Sequence, residues 1–150
     1  MVKEREVFGR LIEQLRERTG ASRTTLRLDT PGNVFPVVAE SCAPGVRSIR
    51  DDETMDLRRA GTVLHLQRTL SPLIQDDTMD ADPPPPPELI ELYGARAQML
   101  GPIVEGGSLA GIISVHHGPE PRRWTAADRA HLEAAVARVR SELAGRAPAP

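Results

Sequence analysis

Apolar positions in this chain change period several times, and each change marks an element. Val7, Phe8, Leu11, Ile12 and Leu15 recur at helical spacing among Glu and Arg, so an amphipathic helix opens the chain and stops at Gly20. Thr24, Leu26 and Leu28 then alternate with Thr25, Arg27 and Asp29, the period of a half-buried strand. Thr30-Pro31-Gly32-Asn33 supplies the central Pro and Gly of a type II turn, which returns Phe35–Glu40 as a second strand. From Pro44 to Ser71 the chain is charged and irregular, with short helices expected at Glu53–Ala60 and Val63–Gln67. Pro72–Gln75 is a short apolar strand. Pro83–Pro87 must be extended, the last of them starting a helix over Glu88–Ala95.

Arg96–Val104 and Ser108–His117 flank Glu105-Gly106-Gly107, a glycine-bearing hairpin connection. Pro102 inside the first of these strands predicts a bulge or a partly unpaired position. Alternation in the second puts Ile113, Val115 and His117 on one face and Ile112, Ser114 and His116 on the other. Both faces carry apolar side chains, so both are expected to be covered. Thr125 with Asp128 three residues on approximates a capping box, and Leu132, Ala135, Val136, Val139 and Leu143 form one stripe of a last helix that ends at Gly145. Hairpins dominate, which predicts an antiparallel sheet with helices packed on it, an α+β fold. Residues 1–145 form one domain and 146–150 a frayed tail.

Several of these segments carry a family likeness. Ser71-Pro72-Leu73-Ile74-Gln75-Asp76 with the downstream Asp82-Pro83, then Gly94-Ala95-Arg96-Ala97 with Leu100 and Pro102-Ile103, then Gly106-Gly107-x-Leu109-x-Gly111-Ile112-Ile113, then Arg123-Trp124-Thr125-x-x-Asp128-x-x-x-Leu132 together resemble a GAF domain. GAF domains are small-molecule sensor modules related to PAS. The resemblance implies a central antiparallel sheet, terminal helices on one face, and a ligand cavity under the irregular segments on the other. It also implies dimerisation through the terminal helices, whose stripes fall near a/d spacing; the alternative is that each stripe is consumed by packing on its own sheet. The proline run departs from the family pattern.

Composition narrows the partners. A net charge of −2 with 3% aromatic residues argues against nucleic acid, which calls for a basic stripe or stacking platform. No apolar run is long enough for a signal peptide or membrane span, so a cytoplasmic protein is expected. A single cysteine, Cys42, excludes an internal disulfide.

Catalytic and metal motifs fail on inspection. Asp76, Asp77, Asp80 and Asp82 lack the glycine of an EF-hand loop and are followed by prolines, so a solvated acidic loop with Asp76 or Asp82 capping backbone is favoured. His116 and His117 point to opposite faces and cannot share a metal. Ser108 in Gly-Gly-Ser-Leu-Ala-Gly lacks the spacing of a nucleophile elbow, and Gly106 and Gly107 precede no helix that would bind phosphate. Some GAF domains attach a bilin through cysteine, but with a neighbouring histidine where this chain has Ala43. A GAF-type reductase of free methionine sulfoxide needs several cysteines where this chain has one.

The candidate site residues are Tyr93, Arg96, Asp76, His65 and His116. Arg96 offers a planar fork to an acidic ligand, and Tyr93, three residues earlier, shares its helix face; the alternative is a structural pair of Arg96 with Asp76 or Asp77. Asp76 ends the strand that borders the cavity in the resembling family, and His65 or His116 are the ligands should the domain hold haem as some relatives do. His116 could otherwise donate to a ligand carbonyl or carboxylate if its face is the cavity side. The expectation is a non-catalytic sensor or accessory domain, with no metal and no assigned cofactor. It would bind a small organic ligand, an acidic one included, and act through a second copy or a partner protein. An enzyme on the same scaffold and a purely structural interaction module are the alternatives.

Overall fold

The structure, a computed structural model, describes residues 2–32 and 34–145. Asn33 of the expected turn and the tail at 146–150 lie outside the described residues. The elements are α1 (Val2–Thr19), β1 (Arg23–Leu28), β2 (Val37–Cys42), α2 (Gly61–Thr69), β3 (Leu73–Gln75), α3 (Pro87–Glu91), β4 (Ala97–Glu105), β5 (Ser108–His117) and α4 (Ala126–Ala144). The five strands form one sheet in the order β2-β1-β5-β4-β3. Every neighbouring pair is antiparallel, so the fold is α+β.

Strand parity sends two different sets of side chains to the two faces. Leu26, Ala97, Met99, Ile103, Ile113 and Val115 meet α1 and α4, which contribute Phe8, Ile12, Leu15, Leu132, Ala135 and Val139. The other face is covered by the segment between β2 and β4. There α2 packs Val63 and Leu66 on Leu73, Leu100 and Ile112, with Phe35 and Leu57 beside them. Ile49, Leu89 and Ala95, with Met55 and Tyr93 against them, complete this second layer.

The start of α4 is built as its sequence suggests. Thr125 Oγ1 accepts from the Asp128 N–H at 3.1 Å, and Asp128 Oδ2 accepts from the Thr125 N–H at 2.9 Å. Arg122 adds an ion pair to Asp128 at 3.2 Å, which anchors the helix to the loop before it.

Five local expectations are corrected. Glu53–Ala60 forms turns instead of a helix. Asp52 Oδ1 accepts from the N–H groups of Thr54 and Met55, an Asx-type arrangement that competes with helix, and Met55 and Leu57 both turn inward at a spacing of two. β2 begins at Val37, because Phe35 adopts φ +46° and tucks under α2. α3 ends at Glu91 rather than Ala95, since Gly94 at φ +66° turns the chain into β4. Finally, β1 is not half-buried: Thr25 is as enclosed as Thr24, because both sheet faces are covered. Pro102 is paired with Ile112 and buried; the irregularity falls one step later, between Ile103 and Val104.

Gly101 shows how closely α4 lies on β4. A Cβ there would sit 2.7 Å from Val136 Cγ2 and 3.0 Å from Leu132 Cδ1. Gly101→Ala is expected to destabilise the fold by about 1–3 kcal/mol through overpacking. Urea unfolding monitored by circular dichroism measures it, and an unchanged midpoint would contradict the close packing.

Candidate functional site

The face under the second layer is unusually polar for an enclosed surface. Cross-strand register aligns Cys42, Arg23, His116, Gln98 and Gln75 in one row. The next row, two residues along each strand, is Glu40, Thr25, Ser114, Leu100 and Leu73. Arg23 and Gln98 are each only 1% exposed.

Between this face and its cover lies a cavity of about 40 Å³. Arg27, Gln98, Leu100, Ile112, Ser114 and His116 form its floor, and Ile49, Met55, Leu57, Thr62, Val63, Pro86 and Leu89 its roof and walls. That is room for about three waters. Outside it runs an open groove of about 470 Å³ with Arg50, Asp51, Asp52 and Glu53 on its rim. Arg27, Met55 and Leu57 line both spaces and so form the partition between them.

The hydrogen bonds assign a polarity to each group on the floor. Arg23 Nη1 lies 3.1 Å from His116 Nδ1. A guanidinium only donates, so Nδ1 is the acceptor and Nε2 carries the ring proton. Burial, reinforced by the charges of Arg23 and Arg27, holds the His116 pKa well below its usual value, so the ring is neutral at pH 7. A similar chain orients the amides. Gln75 Nε2 donates to the Pro83 carbonyl at 2.6 Å, which leaves Gln75 Oε1 to accept from Gln98 Nε2 at 2.8 Å. Gln98 Oε1 is then the acceptor left over.

The two floor arginines differ. Arg23 is fully engaged, with Nε and Nη2 on the Arg47 carbonyl, Nη2 also on that of Tyr93, and Nη1 on His116. Arg27 makes one bond, from Nη1 to the Phe35 carbonyl at 2.8 Å. Neither pairs with a carboxylate within 4.0 Å among the described residues. Burial works against the charge of both. Thr25 Oγ1, enclosed beside Arg27 and Ser114, has no hydrogen-bond partner. Glu40 holds the cover down instead, its Oε2 accepting from the Ile49 N–H at 2.8 Å and its Oε1 from the Ser48 hydroxyl.

Of the five residues expected from sequence, only His116 lines this cavity. Tyr93 lies between the guanidinium groups of Arg23 and Arg47, 5.5 and 5.1 Å from its ring centre, and its hydroxyl donates to Asp52. It borders a separate open groove of about 420 Å³ that also reaches His116 and His117. Arg96 pairs with Asp77 at 3.1 Å, and because α3 stops early it shares no helix face with Tyr93. Exposed Asp76 accepts from the Trp124 N–H at 3.2 Å and so ties the end of β3 to the approach of α4. His65 sits on α2, whose inward residues are Thr62, Val63 and Leu66. His117 faces the helices, edge-on to Trp124 at 6.5 Å. Arg27, Gln98, Ser114 and Thr62 escaped notice in the sequence. The signal was available: once both faces of β5 are covered, the polar half of its neighbour β1 must also lie indoors.

Cys42 closes the polar row on edge strand β2. Burial and Glu40 push its thiol pKa up, the opposite of an activated nucleophile. Among the described residues no three His, Cys, Asp or Glu side chains gather as a metal site, and no helix is long and apolar enough to cross a membrane.

A covered antiparallel sheet, with terminal helices on one face and a cavity under irregular chain on the other, defines a sensor-type α+β domain. The family model of the GAF domain matches residues 4–143, and the chain belongs to that family. No curated protein matches it. Among solved structures it is similar to the GAF domain of the cyanobacteriochrome TePixJ, with a TM-score of 0.77 at 21% identity over 94% of this chain and 89% of that one. It is also similar to the GAF domain of an Acinetobacter phosphoenolpyruvate-protein phosphotransferase, with a TM-score of 0.74 at 12% identity over 95% and 82%. A domain of a putative two-component sensor histidine kinase from Sinorhizobium meliloti 1021 gives 0.66 at 16% over 93% and 90%. At these identities the likeness is one of fold.

The buried neutral imidazole makes stability depend on pH. Above pH 6.5 His116 is neutral whether folded or unfolded and contributes no slope. As pH falls below 6.5 the unfolded chain takes up a proton that the buried ring refuses, so stability drops by up to about 1.4 kcal/mol per pH unit. His117, also shifted down, adds in the same sense. Urea titrations at pH 7.5, 6.5 and 5.5 should show a shallower loss for His116→Gln than for the natural chain; equal slopes would mean that His116 is not held neutral.

Proposed function

We propose that this domain is a non-catalytic sensor or accessory module. It binds a small organic ligand between the polar sheet face and the cover spanning residues 44–95, and it works in the cytoplasm. The observation that carries this reading is the cavity floor, where a neutral His116 donor, Arg27 and the Gln98 acceptor face open space beneath a cover of irregular chain and the short helices α2 and α3. A floor that served only as core would be apolar, because buried polar groups without partners are costly. The space of about 40 Å³ is well below the ~300–1,000 Å³ of typical ligand pockets, so binding displaces Met55 and Leu57 into a more open arrangement.

Occupancy has a short route to the terminal helices. On β4 and β5 the floor residues Leu100, Ile112 and Ser114 alternate with Gly101, Ile113 and Val115 on the α1/α4 side. A ligand that prefers one arrangement of cover and floor shifts the population of both faces, and α1 and α4 pass the shift to a second copy or a partner protein. One solved structural neighbour holds biliverdin IXa. A tetrapyrrole suits this chain poorly, since Cys42 sits on the edge strand and the cavity is far smaller than such a ligand.

Thermal-shift screening against a broad metabolite panel tests the reading. A ligand present at a hundred times its Kd is expected to add about 2.7 kcal/mol of stability by mass action. Cys42→Ser is expected to leave that gain unchanged. A panel in which no compound raises the melting temperature would overturn the sensor reading in favour of a structural module.

A further inference from the structure

The hydrogen-bonding groups left open around the cavity are lopsided. Arg27 has Nε and Nη2 beyond its single bond to Phe35, and no carboxylate within 4.0 Å. His116 presents Nε2–H, as its contact with Arg23 requires, and no protein acceptor meets that proton among the described residues. The hydroxyls of Ser114 and Thr62, which can donate or accept, also line the cavity. Against these stands one obligate acceptor, Gln98 Oε1. A partly buried cation with no carboxylate within 4.0 Å, on which Asp52 and Glu40 act only from further away, keeps hydrogen-bonding capacity in the unliganded fold, and so does the unmet His116 donor. Arg23 is not in this position, because each of its nitrogens already meets an acceptor.

We propose that the cavity takes a small organic monocarboxylate, its carboxylate held by the Arg27 guanidinium and its apolar body lying under Met55, Leu57 and Val63 against Leu100 and Ile112. The proposal rests on the sensor reading and names the chemistry of its ligand. Arg27 sits at the junction of the inner cavity and the outer groove, so it meets the charged end of a ligand entering from outside. The rest of the inner lining is dominated by aliphatic side chains and Met55, which favour a hydrocarbon body. Met55 has three rotatable bonds and can repack around it. Charge argues for a single carboxylate over a phosphate group: the groove rim carries Asp51, Asp52 and Glu53 against Arg50, which repels a dianion more than a monoanion. Planar recognition of a carboxylate also needs only the two N–H groups, Nε–H and Nη2–H, of the one guanidinium edge that Arg27 keeps in reserve.

The test is calorimetric titration and thermal shift of the whole chain with isovalerate, hexanoate and phenylacetate, their matched primary amides, and inorganic phosphate. Carboxylates are expected to bind and stabilise, with the amides weaker by about tenfold or more, the loss for a hydrogen bond deprived of its charge. Arg27→Met should erase that preference with little change in the melting temperature of the unliganded protein, since the half-buried guanidinium makes one hydrogen bond and no ion pair within 4.0 Å. A merely structural Arg27, serving only the Phe35 carbonyl, would show a lower melting temperature instead. Arg27→Lys keeps the charge without the fork and should retain the preference at weaker affinity, so it decides the matter if Arg27→Met fails to fold. Amides or phosphate binding as tightly as the carboxylates, or a preference that survives Arg27→Met, would overturn the proposal while leaving a sensor for another ligand. Silence across acids, amides and phosphate would overturn it too, and the fate of the sensor reading then rests on the broad metabolite panel.

Discussion

The row Arg23–His116–Gln98–Gln75 is the constraint on which the cavity depends. A sheet covered on both faces must enclose the polar half of every strand, and each enclosed group then needs a partner or stays costly. Here the partners come in sequence. The Pro83 carbonyl orients Gln75, Gln75 orients Gln98, and Arg23 fixes the His116 tautomer while its other nitrogens hold the carbonyls of Arg47 and Tyr93. The row therefore ties the sheet to its cover from both ends, and the groups it leaves over are directed at the cavity.

The cover depends on the same few contacts. Glu40 holds Ser48 and Ile49 down at one side, and Asp52 gathers Thr54, Met55 and Tyr93 at the other. Around these clasps, from residue 43 to 60, the chain forms turns and irregular backbone with few regular bonds. Such a segment can rearrange while the sheet and terminal helices stay in place. On the opposite face, Gly101 lets α4 rest directly on β4, so a strand that floors the cavity also carries the helix.

Much of the fold was legible in the sequence because its signals are local. The stripes of the terminal helices, the Glu105-Gly106-Gly107 hairpin and the Thr125/Asp128 box each follow from a few neighbouring residues, and their order was enough for the GAF resemblance. The Glu53–Ala60 helix failed because Asp52 captures the backbone that a helix would use. The Tyr93–Arg96 pairing failed because Gly94 ends α3 early and Asp77 takes the guanidinium. The site was less legible because it depends on register across strands far apart in sequence: Arg27, Ser114 and Gln98 become neighbours only through β1, β5 and β4. Arg27 in an alternating strand reads as a solvated residue until its neighbour is known to be covered on both faces.

The central claim is that the enclosed polar face is a ligand floor with fixed donors and acceptors. Long-range proton–nitrogen correlation NMR of the His116 ring at pH 7 tests it most directly. The account predicts a neutral imidazole protonated at Nε2 whose nitrogen shifts move on titration with isovalerate. A charged ring, or one protonated at Nδ1 and unmoved by the addition, would contradict it.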